Sequence, residues 1–224
     1  MTAARTRPPI PGRLVVVGGQ CRKVGKTALV VDLISAFPEY RWLAVKITPY
    51  TELGCPVNGA NCGCAEHQHT VAVREENSGS SEHDTGRYLE AGAASVIWVQ
   101  TKEGRLLEAL GPLAAALRKS KSVIIESDVI VNYWQPDLFL SVLDPQNADF
   151  KESTRAVMKF ADAFVLRSPL AGDAYHPLAT IPNSGCPIFL HPLGGALPAT
   201  LQNFVRQHFA DFRHQKAGVQ GPSF

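Results

Sequence analysis

One stretch near the start constrains this chain more than any other: Val15-Val16-Val17-Gly18-Gly19-Gln20-Cys21-Arg22-Lys23-Val24-Gly25-Lys26-Thr27. Leu14 to Val17 is an apolar run that reads as a buried strand. Glycines and polar residues follow, and Gly25-Lys26-Thr27 opens the amphipathic stretch Ala28 to Phe37. Strand, glycine-containing loop, Gly-Lys-Thr and helix, in that order, describe a phosphate-binding loop. Backbone N–H groups of such a loop and the helix N-terminus present partial positive charge to phosphate oxygens. Lys26 would reach the terminal phosphates and the Thr27 hydroxyl would ligate Mg²⁺. Gly19, Lys23, Val24, Gly25 and Ala28 would line the phosphates beside them. One position departs from the standard spacing, which puts a glycine where Gln20 stands; Gly19 lies one step earlier. A variant loop, one residue longer, is expected.

The 224 residues suffice for one α/β domain with a full core. A net charge of +2 is too mild to argue for nucleic acid or an anionic membrane surface. No apolar run approaches the roughly 20 residues that span a bilayer. Residues 1–12 are polar and proline-rich, with no apolar core of a secretory signal, and read as a flexible tail. Five cysteines, three of them close together, do not resemble a secreted disulfide framework, so a cytoplasmic location is expected.

Apolar runs then alternate with amphipathic ones. Strands are predicted at 41–48, 95–100, 122–128, 137–143, 163–166 and 187–190, and a short one at 70–74. Helices are predicted at 83–93, 104–119, 151–160 and 197–212. This alternation implies a mostly parallel sheet flanked by helices over residues 13–213, with 214–224 a second flexible tail.

The section 51–82 differs in character and reads as an insertion. It contains Cys55, Cys62, Cys64, His67 and His69 within fifteen positions, interleaved with glycines. Zn²⁺ favours tetrahedral thiolate and imidazole ligands, and this segment could supply four with one to spare. Cys55, Cys62 and Cys64 are the first-choice ligands of a zinc-type site, with His67 or His69 completing it. Four closed ligands would make a structural site; three would leave room for exchange. The spacing is not that of a standard zinc finger, and packed cysteines with solvated histidines are the plainer alternative.

Ligands on parallel sheets bind at the carboxyl ends of strands. Lys46, Glu126 and Asp128 fall at predicted strand ends, and Asp84 lies beyond the insertion, where it could fold in. Mg²⁺ takes one or two carboxylates besides phosphate and water. Glu126 is the first candidate, as a direct ligand or a water-positioning base; Asp84 is second and Asp128 third. Lys46 could neutralise phosphate charge or be a surface lysine. Cys21 and Cys186 read as packing residues.

Several of these stretches together resemble the MobB family of molybdopterin-guanine dinucleotide biosynthesis adaptors. They are Val16 to Thr27, the strand ending at Lys46, Asp84-Thr85-Gly86-Arg87, Glu90-Ala91-Gly92-Ala93 and Ile125-Glu126-Ser127. The likeness runs over about residues 13 to 166. It implies a P-loop NTPase fold binding GTP with Mg²⁺, dimerisation, and support of molybdenum cofactor maturation through a client enzyme. Hydrolysis of the triphosphate by water would draw on Lys26 and Glu126. Three features depart from the family pattern: the phosphate loop, Ser127 in place of a glycine, and the Cys/His insertion. A P-loop fold with an added metal site is also similar to the nickel-delivery GTPases of hydrogenase and urease assembly. Dethiobiotin synthetase, an ATP-dependent carboxylate-activating enzyme, shares the broad class with acids in similar places, and an ATP-dependent kinase or ligase acting on a small molecule above Glu126 is a further alternative. No Asn-Lys-x-Asp guanine signature is present, and Leu166-Arg167-Ser168-Pro169 stands in its place, so ATP is as open as GTP.

Overall fold

The computed structural model describes residues 5–8, 10–50, 70–77, 79, 83–168 and 185–217, with the backbone alone over 211–217. Among these, eight strands form one sheet: β1 (Arg13–Gly19), β2 (Leu43–Tyr50), β3 (Val71–Glu76), β4 (Ser95–Lys102), β5 (Ser122–Glu126), β6 (Leu138–Leu143), β7 (Ala163–Leu166) and β8 (Ile188–Leu190). Their order is β3-β4-β2-β5-β1-β6-β7-β8. Every pairing is parallel except that of β3 with β4, as expected of strands joined by helical crossovers. The helices are α1 (Lys26–Ala36), α2 (Asp84–Glu90), α3 (Leu106–Leu117), α4 (Glu152–Met158) and α5 (Ala199–Ala217).

β1 sits inside the sheet because both of its faces are apolar. Leu14 and Val16 join a core with Leu113, Leu117, Ile125 and Phe139 on one side. Val15 and Val17 join Leu29, Leu33, Leu140 and Phe209 on the other. Each such aliphatic side chain, withdrawn from water, stabilises the fold by about 1.5–3 kcal/mol. In α3, Leu106, Ala109, Leu113 and Leu117 recur at helical spacing and are all buried. Among the described residues no helix is long and apolar enough to cross a membrane.

Both ends depart from the expected tails. Thr6 bridges to Trp134, its N–H donating to the Tyr133 carbonyl at 3.0 Å. Arg7 pairs with Asp137 at 2.6 Å, and Ile10 is buried. The proline-rich composition concealed these two anchors, one ionic and one apolar. At the other end α5 runs to Ala217, beyond position 213, where the tail was placed.

Part of the expected 51–82 insertion belongs to the sheet as β3, and the described residues on either side of 51–69 are both bonded at the end of β4. The Glu103 N–H donates to the Tyr50 carbonyl at 3.0 Å, and the Lys102 N–H donates to the Thr70 carbonyl at 2.9 Å. Cys55, Cys62, Cys64, His67 and His69 lie outside the described residues. Among the described residues no group of three or more His, Cys, Asp or Glu side chains is placed to hold a metal ion.

Candidate functional site

The loop from β1 to α1 turns by two residues in the left-handed region, Lys23 (φ 61°) and Gly25 (φ 99°). At Gly25 a side chain is excluded twice over. The conformation is strained for L-residues, and an added Cβ would lie 2.6 Å from Arg167 Nε and 2.9 Å from Leu193 Cδ2. No side chain caps α1, and its first turn carries no acidic residue. Its leading N–H groups and the positive end of its dipole therefore face an open cavity of about 450 Å³. Arg22, Lys23, Lys26, Lys46 and Arg87 line that cavity against two acids, Asp84 and Glu126.

Gln20, where a glycine was expected, is wholly buried. Its amide donates to the carbonyls of Asn147 (2.5 Å) and Asp149 (2.9 Å), and its oxygen accepts the Asp144 N–H at 2.9 Å. The side chain thus ties the start of the loop to the β6–α4 connection. Thr154 adds a hydroxyl bond to the Gly19 carbonyl at 2.9 Å. The Cys21 thiol is buried and accepts from Asn147 Nδ2, and burial, together with Asp149, pushes its pKa up. It is a packing residue.

Two carboxylates organise the chemistry, both from the end of β5. Glu126 Oε2 accepts the Thr27 hydroxyl at 2.8 Å and also the Tyr88 hydroxyl. Glu126 Oε1 is 2.8 Å from Lys46 Nζ, which also meets Asp84 Oδ2 at 2.6 Å and Thr27 Oγ1 at 3.3 Å. Burial alone would lower the Lys46 pKa, but attraction to Glu126 and Asp84 outweighs it and the net shift is upward. Asp128 engages the other half of the loop. Its Oδ1 accepts the Gly19 N–H at 3.1 Å and lies 3.2 Å from Lys26 Nζ, and Lys151 stands 3.5 Å from Oδ2. Lys26 also donates to the Cys21 carbonyl at 2.8 Å, so its ammonium is parked over the loop.

Lys26, Thr27, Lys46, Asp84 and Glu126 therefore meet at one place, and Lys23, Gly25 and Ala28 line the same cavity. Gly19 and Val24, also expected beside the phosphates, do not line it, and Val24 is buried. Ser127, which departs from the glycine pattern, accepts the Val129 and Ile130 N–H groups at 3.3 and 3.2 Å and so starts the turn after β5.

Sequence reasoning passed over three participants. Tyr88 lies one helical turn after Asp84, so both project from one face of α2, and this spacing was the signal available. Burial, then Glu126, drive the Tyr88 pKa well above its ordinary value, which keeps the hydroxyl a donor. Arg167 donates from Nη1 to the His191 carbonyl (2.9 Å) and from Nη2 to the Gly25 carbonyl. Burial lowers the Arg167 pKa, partly offset by Asp32. His191, fully buried, meets Asp32 of α1 at 2.7 Å. Only the tertiary fold brings these residues to the loop.

The residues present fit a Mg²⁺–triphosphate: an uncapped helix start, cations around a cavity, and a hydroxyl beside a carboxylate. Comparison with solved structures gives the fold. HypB from Helicobacter pylori, solved in complex with nickel, is similar with a TM-score of 0.50 and 16% identity, over 95% of this chain and 92% of that one. LpxK from Aquifex aeolicus, solved with ATP, has a TM-score of 0.50 and 16% identity over 84% of this chain; the match spans 56% of LpxK. No family model and no curated protein matches the chain. The fold is that of a P-loop NTPase.

Proposed function

We propose that this chain binds a Mg²⁺–nucleoside triphosphate, GTP or ATP, and hydrolyses it slowly in support of molybdenum cofactor or other metalloenzyme maturation. The observation that carries the nucleotide reading is the convergence of Lys26, Thr27, Lys46 and Glu126 at the uncapped start of α1. The bound group supplies a phosphoryl centre and a divalent charge that neutralises its oxygens. Lys26 has an ammonium to move from Asp128 and Cys21 to phosphate oxygens. Thr27 and Glu126 form the hydroxyl–carboxylate pair that would hold Mg²⁺, with Asp84 next to them through Lys46. Lys46 joins the two carboxylates, Glu126 at the end of β5 and Asp84 at the start of α2. Arg167 and Ser168, at the place of a guanine signature, are engaged internally; the Ser168 hydroxyl donates to Asp144 at 2.7 Å. The maturation role rests on the MobB resemblance alone.

The test is nucleotide titration of the full chain and of Lys26→Ala. Tight, Mg²⁺-dependent binding should fall by more than about a hundredfold in the variant. Binding retained by Lys26→Ala would sink the phosphate-loop reading. GTP and ATP titrated in parallel give the base preference.

A second reading is a nucleotide-gated metal carrier, with the ion on Cys55, Cys62, Cys64 and His67 or His69. What favours it is that Tyr50 and Thr70, the residues on either side of 51–69, are bonded to Glu103 and Lys102 on the same carboxyl edge of the sheet as the phosphate loop. The nickel bound by HypB, a protein of similar fold, is consistent with it. Metal retention under mild chelation should then change with nucleotide, by linkage.

A further inference from the structure

A second cavity, of about 670 Å³, opens beside the phosphate cavity and shares Arg22, Lys26, Lys46 and Glu126 with it. Its size is that of a small-molecule site. The floor is apolar, from Ile47, Leu106 and Val129, and lies over the carboxyl ends of β2, β4 and β5. Polar groups sit around it. Two of its cations, Arg22 and Lys102, have no acidic partner within ion-pair distance among the described residues, so they favour an anion.

The acids at the junction are already engaged. Both Glu126 oxygens accept hydrogen bonds, from Thr27, Tyr88 and Lys46. Asp128 is held by the Gly19 N–H, Lys26 and Lys151. The other acids of the wall, Glu103 and Glu152, are exposed. Arg22 and Lys102, unpaired among the described residues, favour an acceptor that arrives as an anion over a neutral hydroxyl. A carboxylate acceptor arrives without its proton and needs no base.

We infer that this cavity holds a second substrate, a small carboxylic acid with an apolar body, which accepts the terminal phosphoryl group across the Lys26–Lys46 junction. This inference rests on the nucleotide reading above. In the transfer, a carboxylate oxygen forms a bond to the terminal phosphorus, and the bond from that phosphorus to the bridging oxygen breaks. The electron pair leaves with the nucleoside diphosphate. The products are an acyl phosphate and the diphosphate, and no redox partner or proton acceptor is required. The apolar floor holds the body of the acid, while Lys102 and Arg22 draw the carboxylate in.

Benzoate and hexanoate are suitable probes at millimolar concentration on the full chain, with binding read by saturation-transfer NMR. Both should bind in the presence of saturating diphosphate and Mg²⁺, and Lys102→Ala should weaken them by about tenfold. With triphosphate, Mg²⁺ and hydroxylamine, at least one should give a hydroxamate above the level without protein. Displacement of the acids by diphosphate would place them on the phosphate loop and overturn the inference. So would absence of binding, indifference to Lys102→Ala, or no hydroxamate with either acid. Nucleotide affinity measured in the same samples separates the two failures. If nucleotide binds and the acids do not, only this inference falls; if nucleotide does not bind, the underlying reading falls with it.

Discussion

Arg167 and Gly25 stand 142 residues apart in the chain, yet the Arg167 guanidinium donates to the Gly25 carbonyl. The same fork reaches the His191 carbonyl at 2.9 Å. One side chain from the end of β7 therefore fixes the residue at which the phosphate loop becomes helix. Arg167→Lys keeps the charge but cannot span both carbonyls. Stability should fall by about 1–3 kcal/mol, or roughly 3–10 °C in Tm, and nucleotide affinity by about tenfold. Thermal melting and titration of one preparation check both; unchanged affinity would mean the fork does not shape the loop.

Replacing Gln20 by glycine would restore the common spacing and should nonetheless be harmful. It removes three hydrogen bonds from a fully buried side chain and strands the partners on the β6–α4 connection. The expected loss is about 2–4 kcal/mol, read as a lower urea midpoint with no gain in nucleotide affinity.

Glu126→Gln leaves the shape of the site and removes its central charge. The Mg²⁺-dependent part of nucleotide binding should shrink, and turnover should fall by about a hundredfold or more. The variant also tests the Lys46 pairing through pH. Lys46 has a raised folded pKa, so its contribution is complete below its unfolded value near 10.4 and is lost as pH rises through the folded value. With Gln at 126 that alkaline loss should be shallower in wild-type comparison, as followed by Tm against pH.

Asp162 should act in the opposite range. Burial raises its pKa, against the Phe139 N–H that it accepts at 2.7 Å. The folded state thus prefers the protonated acid, and stability drops as pH rises from about 4 through the raised value. Asp162→Asn can still accept the N–H through its amide oxygen. It should melt above wild type at neutral pH and converge with it in acid; a constant offset would refute the assignment.

Metal analysis of untagged protein should find about one zinc per chain, lost when Cys62 and Cys64 are both changed to serine. If the ion is structural, chelation should loosen the segment while nucleotide affinity stays the same. No zinc in the wild type would remove residues 55–69 from any account of function.

The parts of this site that were legible in the sequence are those encoded locally. Gly25-Lys26-Thr27 follows an apolar run and opens a helix, and Glu126 closes β5; Lys46, expected at a strand end, instead lies mid-strand, because β2 continues to Tyr50, and meets Glu126 through the β2–β5 register. Asp84 came through the helix it begins. Gln20 read as a defect because its partners lie more than 120 residues away on another connection. Arg167 and the His191–Asp32 pair were hidden for the same reason: β7 and β8 reach the loop only after the parallel sheet has formed. Asp128 ranked last among the acids, and its bond to the Gly19 N–H could not be read from spacing. The anchors at Arg7 and Ile10 were masked by the prolines around them.

The fastening of Tyr50 and Thr70 to adjacent amides of one strand end has a consequence for how such a chain can vary. A closed pair of feet makes whatever lies between them nearly independent of the sheet in length. Doubling a loop costs only about 0.6 kcal/mol in closure entropy. A lineage could therefore gain, lose or exchange segment 51–69 as a cassette, with every strand of the sheet keeping its register.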